Sequence, residues 1–215
     1  MKLARGLERR LEALVDGIAA KLFRGRVHPL ELAARLVREA DLAVADGPAG
    51  PVAPNHFRVR LGGETAAEAD PRPAETVLAE AVSETALERG WRLEGPAVVE
   101  IEITPGEGGV KVEASVQRGP LEPWAYLDPK DGEPLAVRPN RAIVGRSSSG
   151  DVHVAADDVS RMHALLWREA GRIWLADLES SNGTRLNGHI IDRPTEVFAG
   201  DAIALGDASF RLRTA

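Results

Sequence analysis

Residues 177–188 read Asp-Leu-Glu-Ser-Ser-Asn-Gly-Thr-Arg-Leu-Asn-Gly, and this stretch decides how the second half of the 215-residue chain is understood. It sets the short β-type run Thr184-Arg185-Leu186 between two turn signals, Ser181-Asn182-Gly183 and Asn187-Gly188. Asn-Gly pairs favour tight turns because both residues tolerate positive φ. The same grammar runs outward in both directions from Ala125 to the C-terminus. AYL, LAV, AIV, DVHV, ALLW, IWLADL, EVF, AIAL and SFRLR alternate with PKDGEP, EAGR, AGD and GDA. No helical period interrupts them, so the spacing predicts an all-β sandwich.

Two more polar clusters stand in this half: Gly145-Arg146 within VGRSSSGDVHV, and Ser160-Arg161-Met162-His163. Each falls at a strand end or turn, which allows the loops to gather at one pole of a sandwich. Together the three clusters supply two guanidinium groups, several hydroxyls and two side-chain amides. That set suits a phosphate ester beside an extended peptide. Arginine gives charge-assisted, often bidentate bonds to phosphate, and an Asn amide pairs with a peptide main chain. Plainer readings fit less well. GRSSSG as a mere flexible turn ignores its relation to the other clusters. SRMH as a serine nucleophile with a histidine base lacks the strand–elbow–helix setting. SSSG lacks the Gly-Lys-Ser/Thr of a nucleotide loop. His153 reads as a strand residue without special role, and Trp167 and Trp174 as core or cross-strand partners.

Gly-Arg, then Ser-x-x-His, then Asn-Gly is the pattern of the forkhead-associated (FHA) family of phosphothreonine readers, which residues 124–213 resemble. The resemblance implies an FHA-type β-sandwich with phosphopeptide contacts on Arg146, Ser160, Arg161 and Ser181, and a weaker one on Ser147. By the same likeness Asn182 holds the peptide main chain and Asn187 lines the groove. Gly145, Gly183 and His163 are then structural supports, His163 bracing the binding loops from behind. Ser181 stands where many relatives have Thr, and it keeps the hydroxyl.

The first half has a different texture. Leu3, Leu7, Leu11, Leu14, Ile18 and Leu22 recur at steps of three and four, which predicts a helix. A break containing Gly25 follows, and Pro29 opens a second helix carrying Leu32, Leu36 and Val37. AVADGPAGPVAP then reads as a loop, HFRVRL as a strand, and Ala74–Arg89 as a third helix stopped by Gly90. AVVEIEI and VKVEASV, joined by TPGEGG, form a hairpin signature. The order α-α-β-α-β-β predicts a small α+β domain with helices over a three-stranded sheet. LERRLEALVDGIAAKLFRGRVHPLELAARLVREAD and NHFRVRL resemble the N-terminal domain of FhaA-type proteins from actinobacteria. Relatives there often carry a long low-complexity linker, and only a short one is present here. The resulting division is an α+β domain at 1–116, a linker at 117–124 and an FHA domain at 125–215.

Composition narrows the function. The chain is 44% hydrophobic and 28% charged, with no cysteine and a net charge of −6, shared as −3 on either side of residue 120. That balance argues against wholesale nucleic-acid binding, and no apolar run has the length of a membrane span. The charge-interrupted N-terminus is unlike a secretory signal, so a cytoplasmic location is expected. No metal site, cofactor or catalytic group is expected, and hence no enzyme activity. Residues 1–38 are locally basic, with nine basic and four acidic side chains. Arg5, Arg9, Arg10, Lys21, Arg24 and Arg26 therefore carry an alternative reading, a nucleic-acid or membrane-surface module regulated by the FHA domain. GEGG at 106–109 matches a Gly-x-x-Gly RNA loop, but Glu107 and its place between strands favour a turn. The preferred expectation is an adaptor in bacterial Ser/Thr-kinase signalling that binds a phosphothreonine-containing protein. The FhaA likeness implies a receptor-type Ser/Thr kinase or phosphorylated pseudokinase as partner, near the control of cell-wall synthesis or division, with recruitment to the inner face of the plasma membrane.

Overall fold

The structure, a computed structural model, describes residues 9, 12, 13, 27–62, 70–104 and 109–215. Most of the expected first helix, Gly25 in the break after it and most of the TPGEGG turn lie outside the described residues. By contact the chain divides into two compact units. The first comprises Met1–Asp46, Val52–Ala86 and Leu93–Gly119, and the second Gly47–Pro51, Leu87–Arg92 and Pro120–Ala215.

In the first unit, helix α1 (Pro29–Leu42) starts as its sequence dictates. Pro29 occupies the first helical position, and His28 caps the end by accepting the Leu30 N–H on Nδ1 at 3.3 Å. Leu32, Leu36, Val37 and Ala40 are its buried face. The loop AVADGPAGPVAP, of which Gly47–Pro51 belongs to the second unit, folds into a two-stranded hairpin, β1 (Ala45–Gly47) and β2 (Gly50–Val52), where the sequence suggests only a loop. Gly50, at φ +103°, supplies the conformation that other residues avoid. Strand β3 (His56–Gly62) alternates strictly, with Phe57, Val59 and Leu61 fully buried. Helix α2 (Arg72–Glu88) buries Leu78, Ala81 and Val82. It carries the chain to β4 (Val98–Thr104), parallel to β3, and β5 (Val110–Ser115) returns antiparallel. The sheet order is β4-β3-β5. Its other face is an ionic lattice in which Arg58 meets Glu100 and Glu102, and Arg60 meets Glu102 and Glu113. Those pairs are exposed, so each contributes well under about 1 kcal/mol.

The second unit holds β6 (Ala125–Pro129), β7 (Leu135–Val137), β8 (Arg141–Gly145), β9 (Val152–His153), β10 (Ala164–Glu169) and β11 (Arg172–Asp177). β12 (Thr184–Leu186), β13 (His189–Ile190), β14 (Thr195–Val197), β15 (Ala202–Leu205) and β16 (Ala208–Thr214) complete it. They form a five-stranded sheet, β14-β11-β10-β8-β9, and a six-stranded sheet, β13-β12-β15-β16-β6-β7. Both sheets feed one core: Val144, Leu166 and Leu175 from the first, Leu127, Ile203, Leu205 and Leu212 from the second. Each such side chain stabilises the fold by about 1.5–3 kcal/mol. This is the sandwich the turn spacing predicts. β8 and β10 do not alternate in sequence because they are buried on both faces. Ala142, Val144, Ala164 and Leu166 point into the core, while Ile143, Leu165 and Trp167 pack with Ala49 on the outside. Trp167 and Trp174 are direct register partners with stacked rings 6.2 Å apart.

Candidate functional site

The site grows from the way β8 ends. After Gly145 the chain leaves the sheet, and the Arg146 and Ser147 N–H groups donate to the carbonyls of Ser160 (2.9 Å) and Arg161 (3.1 Å). Two loops far apart in sequence are thus stitched backbone to backbone. That approach requires glycine at 145: a Cβ there would collide with the Arg161 carbonyl oxygen and lie 2.9 Å from the Ser160 oxygen. The exposed Arg146 side chain is steered by its Nε, which donates to the Val159 carbonyl at 3.1 Å.

A third loop is bound to the second by one hydroxyl and one imidazole. Ser160 Oγ accepts the Ser181 N–H at 3.0 Å. His163, completely buried, accepts the Ser160 N–H on Nδ1 at 3.1 Å. The proton must then sit on Nε2, which faces the Gly183 carbonyl at 3.2 Å. Neutral histidine satisfies both loops at once, which suits a fully desolvated ring. Main-chain bonds fix the residue in turn, since the backbone N–H of His163 donates to the Val144 carbonyl and the backbone carbonyl of His163 accepts the Leu178 N–H.

The third loop, 178–183, is shaped by Asp177. Its carboxylate accepts the Ser180 N–H (2.9 Å), the Ser180 hydroxyl (2.6 Å) and the buried Thr184 hydroxyl (2.6 Å). Partial burial works against the charge, but these three bonds outweigh it and hold the Asp177 carboxyl below its ordinary range. Ser180 Oγ also accepts the Gly183 N–H at 3.0 Å. Glu179 (φ +55°) and Gly183 (φ +75°) supply the left-handed turns. The exposed Asn182 leans across the mouth, its Nδ2 donating to the Asp158 carbonyl at 2.6 Å.

Arg146, Ser147, Ser160, Arg161, Ser181 and Asn182 therefore share one pole, with Gly145, Gly183 and His163 beneath them. Asn187 is placed differently. It turns the β12–β13 hairpin at φ +51°, and its amide is occupied by Asp201 Oδ1 (2.9 Å) and the Ala202 N–H (2.9 Å). Sequence reasoning missed Asp177, Ser180, Thr184 and Asp158. An Asp three residues before a Ser at a strand exit is a readable turn signal for the first two. Asp158 acts through its backbone and had none.

Among the described residues neither Arg146 nor Arg161 forms an ion pair. Two guanidinium groups, three hydroxyls and an exposed amide thus stand together at this pole. No group of His, Asp and Glu among the described residues is arranged to hold a metal ion. No helix among them is long and apolar enough to cross a membrane. Of the basic N-terminal residues, Arg5, Arg10, Lys21, Arg24 and Arg26 lie outside the described residues.

Residues 142–206 match the family model of the FHA domain, a class of binding module. Residues 5–107 match the family model of the FhaA N-terminal domain, so the chain resembles FhaA in carrying both an FhaA-type N-terminal domain and an FHA domain. Over 83 residues it is 35% identical to an FHA domain-containing protein of Arabidopsis thaliana, At4g14490, covering 37% of this chain and 22% of that protein. Over 81 residues it is 30% identical to the proliferation marker protein Ki-67 of Homo sapiens, covering 38% of this chain but only 2% of that protein. The chain thus spans a small part of these relatives. Among solved structures, the FhaA FHA domain complexed with the intracellular domain of Rv3910 is 28% identical at TM-score 0.39, covering 41% of this chain and 99% of that one. A structure from work on phosphothreonine-dependent FHA domain interactions is 28% identical at TM-score 0.40, covering 43% and 97%.

Proposed function

We propose that this chain is a phosphothreonine-dependent protein-binding adaptor in bacterial Ser/Thr-kinase signalling, with residues 125–215 as the reading domain. The observation that carries the proposal is the pole at which Arg146, Ser160, Arg161, Ser181 and Asn182 converge on loops stitched together by Gly145 and His163. In this reading Arg146 and Arg161 neutralise the phosphate, and Ser160 and Ser181 add hydroxyl donors. Asn182 exchanges its bond to the Asp158 carbonyl for one to the peptide main chain. Ser147 is a secondary contact, and Asn187 supports the mouth from the neighbouring turn. The FhaA-type pairing of domains supports a receptor-type Ser/Thr kinase or a phosphorylated pseudokinase as the partner. It also supports a cytoplasmic protein recruited to the inner membrane face, near cell-wall synthesis or division. An array of phosphothreonine, phosphoserine and unmodified peptides probed with the full chain tests the reading. Binding confined to phosphothreonine spots is expected, and phosphorylation-independent binding would overturn it.

A further inference from the structure

We propose that Arg92 is a positioning residue for the phosphate-binding loop, acting through Asp151; the inference rests on the reading that Arg146 meets a phosphate. Loop 146–151 carries Arg146 and Ser147 at its start and Asp151 at its end. Its start is held by the bonds to Ser160 and Arg161. Its middle contains three serines and Gly150 and has one internal backbone bond, from the Gly150 N–H to the Ser147 carbonyl at 3.1 Å. Its end is held by the pairing of β9 with β8 and by Asp151, whose carboxylate accepts the Ile143 N–H at 2.8 Å while its own N–H donates to the Ile143 carbonyl at 3.1 Å. Asp151 thus staples the loop's end to β8, two residues before Gly145.

That staple is an almost buried carboxylate, and Arg92 is its counter-charge. Nη1 and Nη2 bind Oδ2 and Oδ1, each at 2.8 Å, with the two side chains only 12% and 16% exposed. Arg92 is itself anchored, its N–H donating to the Pro51 carbonyl at 2.8 Å and its Nη1 to the Arg141 carbonyl at 2.5 Å. A bidentate pair so well screened from water fixes geometry as well as charge. With Arg92 removed, Asp151 keeps a buried charge without a partner, and such a charge is relieved by opening toward solvent. The segment that loses an anchor, 148–151, is continuous with Arg146 and Ser147. Affinity then falls by the fraction of molecules whose loop remains in place.

The test uses the full chain and two readouts on Arg92→Ala and Arg92→Lys. The first is amide hydrogen exchange of the free protein. Arg92→Ala is expected to lose protection at Ile143, Gly150 and Asp151 while β15 and β16 stay protected. The second is binding of a phosphothreonine peptide selected from a degenerate library on the wild-type chain. Here Arg92→Ala is expected to weaken affinity by about tenfold, with Arg92→Lys in between because lysine cannot form the two-pronged contact. Unchanged exchange at those three amides overturns the clamp, and so does wild-type affinity in Arg92→Lys, which would reduce Arg92 to a through-space charge. Loss of protection throughout the sandwich would make Arg92 a general stabiliser and also overturn it. A wild-type chain that captures no phosphothreonine peptide would defeat the functional reading instead, and the exchange result would still decide the clamp.

Discussion

His163 and Gly183 are joined through the buried imidazole Nε2, 3.2 Å from the Gly183 carbonyl, while Nδ1 of the same ring takes the Ser160 N–H. One side chain without solvent contact therefore sets the distance between the loop carrying Ser160 and Arg161 and the loop carrying Ser181 and Asn182.

His163→Ala should both destabilise the sandwich and weaken peptide binding. It leaves the half-buried Ser160 N–H and Gly183 carbonyl without their partner, at a cost of up to about 1–3 kcal/mol each. Ser160→Ala should cost about 1 kcal/mol of stability, because Ser160 Oγ holds the Ser181 N–H. Thermal unfolding and calorimetric titration of both variants check the order; equal losses of stability would contradict it.

Gly145→Ala tests the backbone crossing. The added methyl meets the carbonyls of Arg161 and Ser160. A loss of roughly 1–3 kcal/mol in denaturant unfolding is expected from such overpacking, together with loss of binding. Full affinity in this variant would show that the loops do not need to approach so closely.

Asn182 and Asn187 should separate cleanly. Asn182→Ala is expected to weaken peptide binding with a melting temperature close to wild type, since its amide is exposed. Asn187→Ala removes two bonds to the Asp201–Ala202 turn and should cost about 1–2 kcal/mol of stability. Its affinity should stay within about threefold of wild type. A large affinity loss in Asn187→Ala without destabilisation would put that residue in the groove after all.

Acid should act on the third loop through Asp177. Its folded carboxyl lies below its ordinary value, so the stability it contributes is complete above the unfolded value near about 3.9. It is lost as pH falls through the folded value. The stability difference between wild type and Asp177→Asn should therefore shrink as pH is lowered from about 5 to about 3. A difference that stays constant across that window would remove the carboxylate from the account.

Much of this was legible in the sequence because turns announce themselves. Asn187-Gly188 and Ala170-Gly171 mark hairpins and Asn182-Gly183 the crossing between sheets, with positive φ at Ala170, Gly171, Gly183, Asn187 and Gly188, and the intervening runs became strands with shifts of a residue or two. Pro29 and Gly90 bounded helices for equally local reasons. The β1–β2 hairpin was hidden, since its strands are three residues each and contain proline and glycine. The polar residues of the pole were visible as types, but their roles were not. Nothing in SRMH distinguishes a hydroxyl that faces a ligand from one that also holds Ser181. Arg92 was out of reach altogether, because its partner Asp151 lies 59 positions away and no local pattern links them.

The central claim is that this pole reads phosphothreonine, and the most direct measurement is calorimetric titration of the full chain with three matched peptides, bearing phosphothreonine, phosphoserine or unmodified threonine. The threonine γ-methyl contributes about 0.8 kcal/mol when buried, and the space left by serine adds a packing loss. The account predicts at least about tenfold preference for phosphothreonine over phosphoserine and no measurable binding of the unmodified peptide. It also predicts that Arg146→Ala, folded by circular dichroism, loses the phosphothreonine complex. Equal affinity for all three peptides, or undiminished binding by Arg146→Ala, would contradict it.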